Sequence, residues 1–340
     1  MTRQTSIDKH ISQFSWIRVI ACFAIVVLHT VNSGYVYYAD NLGPGEAAAS
    51  RITVALLMWA VPCFLMVTGA LLLDPEKEIT AKKLFGKYIR RVLLALIAFS
   101  FLFQVLSYIA GENTSIFGPW LSALLQCKGW PHMWYLYLMT GLYLMMPFYK
   151  MITERASDRM LWYLIGLIVL FTSLAPIAEI FGKESGFYIP TSVIYPAYLF
   201  VGYMLHRKNI RAHYAVILMI VSTALIIAAS VYDKSASGGT DLSHLTGYAS
   251  PFVVMQSAAL FSLMERIKTP AGELLKSMDS CTFGIYLIHM IGCRLVMKWM
   301  GFDPYGFGPF GFAGLAVVFF LLSYVITWVL RRIPAVRSIV

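Results

Sequence analysis

The chain has 340 residues, 59% of them hydrophobic and 13% charged, with a mean hydropathy of +0.70; a water-soluble domain carries about 25% charged residues. That balance excludes an ordinary soluble enzyme. The formal charge of +10 sits in short Lys and Arg clusters between apolar runs instead of on one basic face, which argues for a membrane and against a nucleic-acid partner.

Ten apolar runs lie near the ~20 residues needed to cross a bilayer, and the short polar connections between them read as one all-α transmembrane bundle forming a single domain, 1–340. The first run, 16–37, is longer than a signal-peptide core and lacks an A-x-A site after it, so it reads as a retained helix. It holds Arg18 near its start and His29 deep inside, in Ala24-Ile25-Val26-Val27-Leu28-His29. An ionisable side chain at such depth is expensive and marks a candidate site. Eleven steps of ~100° return to within about 20° of the same face and ~1.5 Å per residue separates the two by ~16 Å, so they form one stripe. The simplest alternative makes Arg18 a boundary residue reaching for water and His29 a packing residue. The separation also suits an extended ligand with phosphates near one surface and a reactive group deeper, such as an acyl-coenzyme A. Imidazole takes a proton from a hydroxyl near neutral pH, and desolvation disfavours its charged form.

The second run, 52–73, contains Pro62-Cys63-Phe64-Leu65-Met66-Val67-Thr68-Gly69, where Pro and Gly permit a bend or a close helix approach. The third, 92–110, follows the densest basic segment, Lys82, Lys83, Lys87, Arg90 and Arg91; topology explains such a cluster, and an Arg pair there is also a candidate phosphate clamp. The fourth, 131–150, opens with Trp130-Pro131-His132-Met133-Trp134-Tyr135, read either as an interfacial anchor or as aromatic walls around a sugar site. Runs at 161–180, 190–206, 214–232 and 246–265 follow, the second of these being short. The ninth, 280–299, has His289 in its middle and Arg294 five residues later, and the tenth is 311–331.

Cytoplasmic loops retain Lys and Arg. With the amino terminus inside, ten spans leave only Arg51, Lys128, Lys183, Lys234, Arg294 and Lys298 of the 27 basic residues outside or in outer helix halves, which predicts both termini cytoplasmic. The outer connections 38–51, 111–130, 181–189, 233–245 and 300–310 are too short for a domain of their own. Tyr35, Tyr37, Tyr38, Trp120, Trp130, Trp134 and Trp299 lie near the predicted outer boundary, where amphipathic rings favour headgroups. The five cysteines follow no CxxC spacing, and His289 with Cys293 is a weak ligand pair, so no metal is predicted. No G-x-S-x-G elbow, Walker loop, Rossmann fingerprint or HExxH is present.

Four ordered segments resemble acyltransferase family 3, membrane O-acyltransferases acting on surface carbohydrates. They are Arg18-Val19-Ile20-Ala21 with Val26-Val27-Leu28-His29, the Pro62–Gly69 segment, His132-Met133-Trp134-Tyr135-Leu136, and Gly284-Ile285-Tyr286-Leu287-Ile288-His289. Relatives commonly have an acid three residues before the Arg; this chain has Ser15, so that ion pair is expected to be absent or supplied elsewhere. The resemblance implies acetyl-CoA as donor on the cytoplasmic side, a lipid-linked or cell-surface glycan as acceptor, and a bacterial plasma membrane. It implies Arg18 and His29 as the principal functional pair, His29 acting as general base and Arg18 binding or orienting the donor, with His132 and His289 lining the cavity; from residue chemistry Arg90 and Arg91 are expected as further donor contacts and Trp134 and Tyr135 as walls of the acceptor site. Some relatives add an extracytoplasmic hydrolase-like domain; here transfer is expected to finish within the bundle. A transporter or flippase for a lipid-linked sugar, using the same polar residues to line a path, is the competing expectation.

Overall fold

The computed structural model describes residues 2–77, 80–174, 177, 189–233 and 241–340, with side chains from Ser12 onward. Among them every regular element is helical. The principal helices are α1 (Thr2–Tyr37), α2 (Pro44–Leu57), α3 (Ala60–Leu72), α4 (Arg90–Ile109), α5 (Phe117–Leu125) and α6 (Trp134–Arg155). They continue as α7 (Asp158–Val169), α8 (Ile194–Arg207), α9 (Ala212–Tyr232), α10 (Pro251–Met264), α11 (Glu273–Cys293) and α12 (Gly308–Leu330).

Six stretches are long and apolar enough to cross a membrane: Ser12–Tyr37, Pro44–Leu72, Ala81–Ile109, Ala212–Tyr232, Glu273–Trp299 and Pro304–Leu330. Outward faces of α9 and α12 carry Ile217, Ile220, Val221, Leu321, Leu322 and Val325, all exposed. A continuous apolar exterior of this kind fits hydrocarbon, and the chain is an integral membrane protein. Helix α8 has 14 residues and α10 has 14, about 21 Å each at 1.5 Å per residue and short of a full crossing. Almost every side chain of α8 from Ala197 to Leu205 is buried, so its neighbours shield it.

Several boundaries differ from the sequence reading. The second run begins at Pro44, not residue 52, because Pro fits the first helical position and Gly43 N–H donates to Glu46 Oε2 at 3.0 Å. The helix then breaks at Met58 and Trp59: Pro62 lacks the N–H that would close on the Met58 carbonyl, and the ladder resumes with Cys63 N–H to Trp59 O at 3.1 Å. The connection 111–130 contains α5. The end of the fifth run at 175, 176 and 178–180, the connection 181–188, Ser237-Gly238-Gly239, Lys183 and Lys234 lie outside the described residues, as do the side chains of Arg3 and Lys9.

Helix α1 is the hub, packed against α2, α3, α11 and α12. Helices α3 and α8 cross at two glycines: a Cβ on Gly69 would strike the Leu199 backbone, and one on Gly202 the Met66 backbone. Small residues at such a crossing let backbones approach where no hydrophobic force between helices exists. The helix ends fall into two groups. One group is tied together by Arg18 with Asp279, Lys150 with the carbonyls of Asp74 and Lys77, Arg207 with Asp158, and His206 with Glu265. The other is joined by Tyr38 to the Met297 carbonyl, Ser50 to Tyr305, and Arg294 to Glu112. The Lys and Arg clusters of the connections belong to the first, basic end.

Candidate functional site

Three of the predicted site residues, far apart in sequence, meet in the bundle. The ring of His29 from α1 lies 5.2 Å from His289 of α11 and 6.3 Å from His132, which precedes α6, and the last two are 5.6 Å apart between centroids. His132 and His289 are both 0% exposed. The Nδ1 of His289 contacts its own-helix Ile285 carbonyl at 3.1 Å, while its Nε2 and both ring nitrogens of His132 are buried without a hydrogen-bond partner among the described residues. Unsatisfied buried nitrogens are uncommon and call for an explanation. Tyr286 sits at the edge of the cluster, 5.5 Å from His132 and 6.0 Å from His289, and donates its hydroxyl to the His132 carbonyl.

Below the imidazoles, toward the basic end, a cavity of about 230 Å³ is lined by Arg18, Arg91, Phe64, Thr68, Tyr135 and Tyr286, among others. Two residues of the Pro62–Gly69 segment therefore face the site, beyond the packing role read from sequence. Arg18 is not a free cation. Its Nε donates to Asp279 Oδ1 at 2.5 Å and its Nη2 to Oδ2 at 2.6 Å, and Ser15 Oγ donates to the same carboxylate at 2.7 Å. The acid expected elsewhere for Arg18 is thus supplied from α11, and Ser15, three residues before Arg18, joins the pair. Asp279 was missed in the sequence, although a lone acid ten residues before His289 near the start of an apolar run is a usable signal.

Arg91 stacks over Phe283 at 4.8 Å from the ring centroid and its Nε is buried without a partner. It also lines a second cavity of about 290 Å³ at the basic end, together with Arg90, Arg331 and Arg337. Trp134 turns away from the histidines to meet Tyr195 at 5.6 Å and Tyr248 at 5.3 Å, whereas Tyr135 faces the cavity and Tyr286 at 5.5 Å. Trp130, read as a boundary anchor, is buried: it stacks on Phe103 at 4.2 Å, with the Arg294 guanidinium 4.3 Å over its ring.

On the side away from the basic end, Glu112 accepts from Arg294 at 3.2 Å and from Trp299 at 3.0 Å, and pairs with Lys298 at 2.6 Å. Burial pushes its carboxyl up, but the hydrogen bonds from Lys298 and Trp299 and the charge of Arg294 outweigh that and bring it down to about 2. No group of three or more His, Cys, Asp or Glu side chains among the described residues is arranged to hold a metal ion.

Chemically, the imidazole cluster adjoins through Tyr286 an aromatic cavity that Arg18 and Arg91 also line, the three histidines themselves standing behind its wall. Such a site can accept a proton from an alcohol while anionic groups of a co-substrate rest toward the basic end. The family model described as an acyltransferase domain, acyltransferase family 3, matches residues 11–335. Neither curated proteins nor solved structures gave a match.

Proposed function

The chain belongs to acyltransferase family 3 and is a membrane acyltransferase; we propose that it is an O-acetyltransferase taking acetyl from acetyl-CoA to a hydroxyl of a lipid-linked or cell-surface glycan. The bilayer is a bacterial plasma membrane with both termini cytoplasmic and ten passages of the chain, of which the 14-residue α8 and α10 pass within the shelter of longer neighbours instead of spanning lipid by themselves. In support, the basic clusters gather at one end of the bundle, as cytoplasmic loops do.

In this mechanism His29 is the general base. An imidazole nitrogen takes the proton of the acceptor hydroxyl as its oxygen attacks the thioester carbonyl carbon. The carbon–sulfur bond then breaks, and the thiolate leaves with the proton returned by the imidazolium, giving the acetyl ester and free coenzyme A. His132 and His289 orient His29 and hold the reacting groups, and Tyr135 and Tyr286 wall the thioester. Arg91 and Arg90 meet the phosphates of the donor, while Arg18, already paired with Asp279, orients the donor arm. The meeting of three imidazoles, joined through Tyr286 to a cavity lined by Arg18 and Arg91, supports this assignment.

The test uses purified full-length protein in nanodiscs with labelled acetyl-CoA and a glycan acceptor. Loss of the thioester should require the acceptor, and His29→Ala should lower kcat by ~10²–10⁴, the usual contribution of a positioned base, with acetyl-CoA affinity retained. An unchanged rate in His29→Ala removes the mechanism, and sugar translocation without thioester consumption favours a flippase.

A further inference from the structure

The π-helical turn Leu170–Leu174 at the end of α7 breaks the 3.6-residue repeat and buries both Thr172 and Ser173. Widened turns of this kind recur at functional sites. Thr172 gives its hydroxyl to the Ile168 carbonyl at 2.7 Å, but Ser173, only 4% exposed, has an Oγ with no hydrogen-bond partner among the described residues. A buried hydroxyl left unpaired is costly and favours any ligand that offers it a hydrogen bond. Ser173 lines a cavity of about 290 Å³ at the end of the bundle opposite the basic connections, with Thr191, Ser192, Tyr195, Ser243 and Tyr248.

The chemistry of this cavity differs from that of the cavities at the other end. Those are lined by Lys77 and Lys83, or by Arg90, Arg331 and Arg337. Among the described residues this one has hydroxyls, ring faces and His244 on its walls and no Lys, Arg, Asp or Glu. Among the described residues a phosphate or carboxylate would find no Lys or Arg there to pair with. A neutral polyol would exchange hydrogen bonds with the Ser, Thr and Tyr hydroxyls and lay its C–H face on the rings. Tyr195 and Tyr248 stand 6.2 Å apart and both touch Trp134. Ring contacts then continue from Trp134 to Tyr135 at 6.0 Å, to Tyr286 at 5.5 Å and to His132 at 5.5 Å.

We propose that this cleft seats a neutral sugar residue of the acceptor, held by Ser173 and stacked on Tyr195 and Tyr248, at the end of the bundle opposite the donor. Its role as acceptor seat rests on the acetyltransfer reading above; the binding of a neutral sugar there does not.

The experiment takes the full chain in nanodiscs and titrates methyl β-D-glucopyranoside, methyl β-D-galactopyranoside, methyl α-L-rhamnopyranoside and N-acetylglucosamine, with glucuronate as the charged control, by saturation-transfer NMR. At least one neutral sugar should bind and glucuronate should not. Tyr195→Ala and Ser173→Ala should each weaken binding about tenfold, roughly the effect of one lost contact. Tyr195→Phe, which keeps the ring, should stay within about threefold of the parent, and acetyl-CoA affinity should be unchanged throughout. Ser173→Ala removes a single oxygen, so it decides the matter even if Tyr195→Ala does not fold. Failure of every neutral sugar to bind, indifference to both Ala variants, or equal binding of glucuronate overturns the proposal. Sugar binding that maps here without any acetyl transfer leaves the site and removes the acetyltransfer reading. Transfer to a sugar whose affinity neither Ala variant alters removes the site and leaves the enzyme.

Discussion

At the scale of single residues, Arg18 changes meaning once its partner is known. A guanidinium held by both oxygens of Asp279 is already neutralised, and its first consequence is mechanical: it fastens α1 to α11 on the same two helices that bring His29 against His289. Breaking a buried pair by deleting one partner costs ~3–5 kcal/mol; side chains 24% and 13% exposed reduce that to about 2 kcal/mol. Asp279→Ala should therefore lower the thermal midpoint by several degrees in detergent, and the exchange Arg18→Asp with Asp279→Arg should recover part of the loss. If the exchange restores the midpoint but not acetyl-CoA affinity, the guanidinium also serves the donor; if both return, its role is the clasp alone. Glu112 supplies a pH test. Its carboxyl is held at about 2 in the folded protein against an ordinary value of 4.5, so its contribution to stability is complete above the ordinary value and is lost as the pH falls toward 2. The gap in thermal midpoint between the parent and Glu112→Gln should be constant from pH 7 to about 5 and shrink below that. A gap that widens on acidification would contradict the charge-assisted pairing with Lys298 and Trp299.

Among the elements, the α3–α8 crossing is the least tolerant. Both Gly69 and Gly202 abut the backbone of the opposite helix, and backbone cannot swing aside as a long side chain can. Gly202→Val should abolish folded protein by size-exclusion profile, whereas Gly141→Ala, with open space around the added Cβ, should be neutral or gain up to about 1 kcal/mol. A folded Gly202→Val with normal retention would refute the close crossing. Hydropathy gave the centres of the runs well and their ends less well, because the charged starts of α4 and α11 are helical beyond the apolar stretch, and apolar pieces such as α5, nine residues long, are too short for a spanning signal. The π turns at Leu84–Ile89, Leu170–Leu174 and Arg294–Trp299 have no sequence mark: one inserted residue per turn is offset by tertiary contacts, not by local preference. The pause at Met58 and Trp59 is the counter-example, since Pro62 announces it.

For the molecule as a whole, the gathering of basic connections at one end argues that this end is cytoplasmic. The protein carries its own reporter. Cys127, between α5 and α6 on the other end, is exposed, and Cys22, Cys63, Cys281 and Cys293 are buried. A membrane-impermeant maleimide added to intact spheroplasts should label the chain once, and Cys127→Ser should abolish the signal; labelling only after permeabilisation would invert the topology. Residence in a bilayer, the register of the apolar runs, the charge asymmetry and the three improbable histidines were all determined by the sequence alone, because hydropathy and charge act locally and add along the chain. Tertiary structure alone decided that His29 faces His132 and His289, that Arg18 is answered by an acid 261 positions away, and that Tyr135 lines the central cavity while Trp134 packs on Tyr195 and Tyr248. In water an amphipathic stripe reveals which face of a helix turns inward. In hydrocarbon both faces are apolar, so helix rotation and depth are set by small-residue crossings and a few polar contacts between distant segments, and these exist only once the helices have packed.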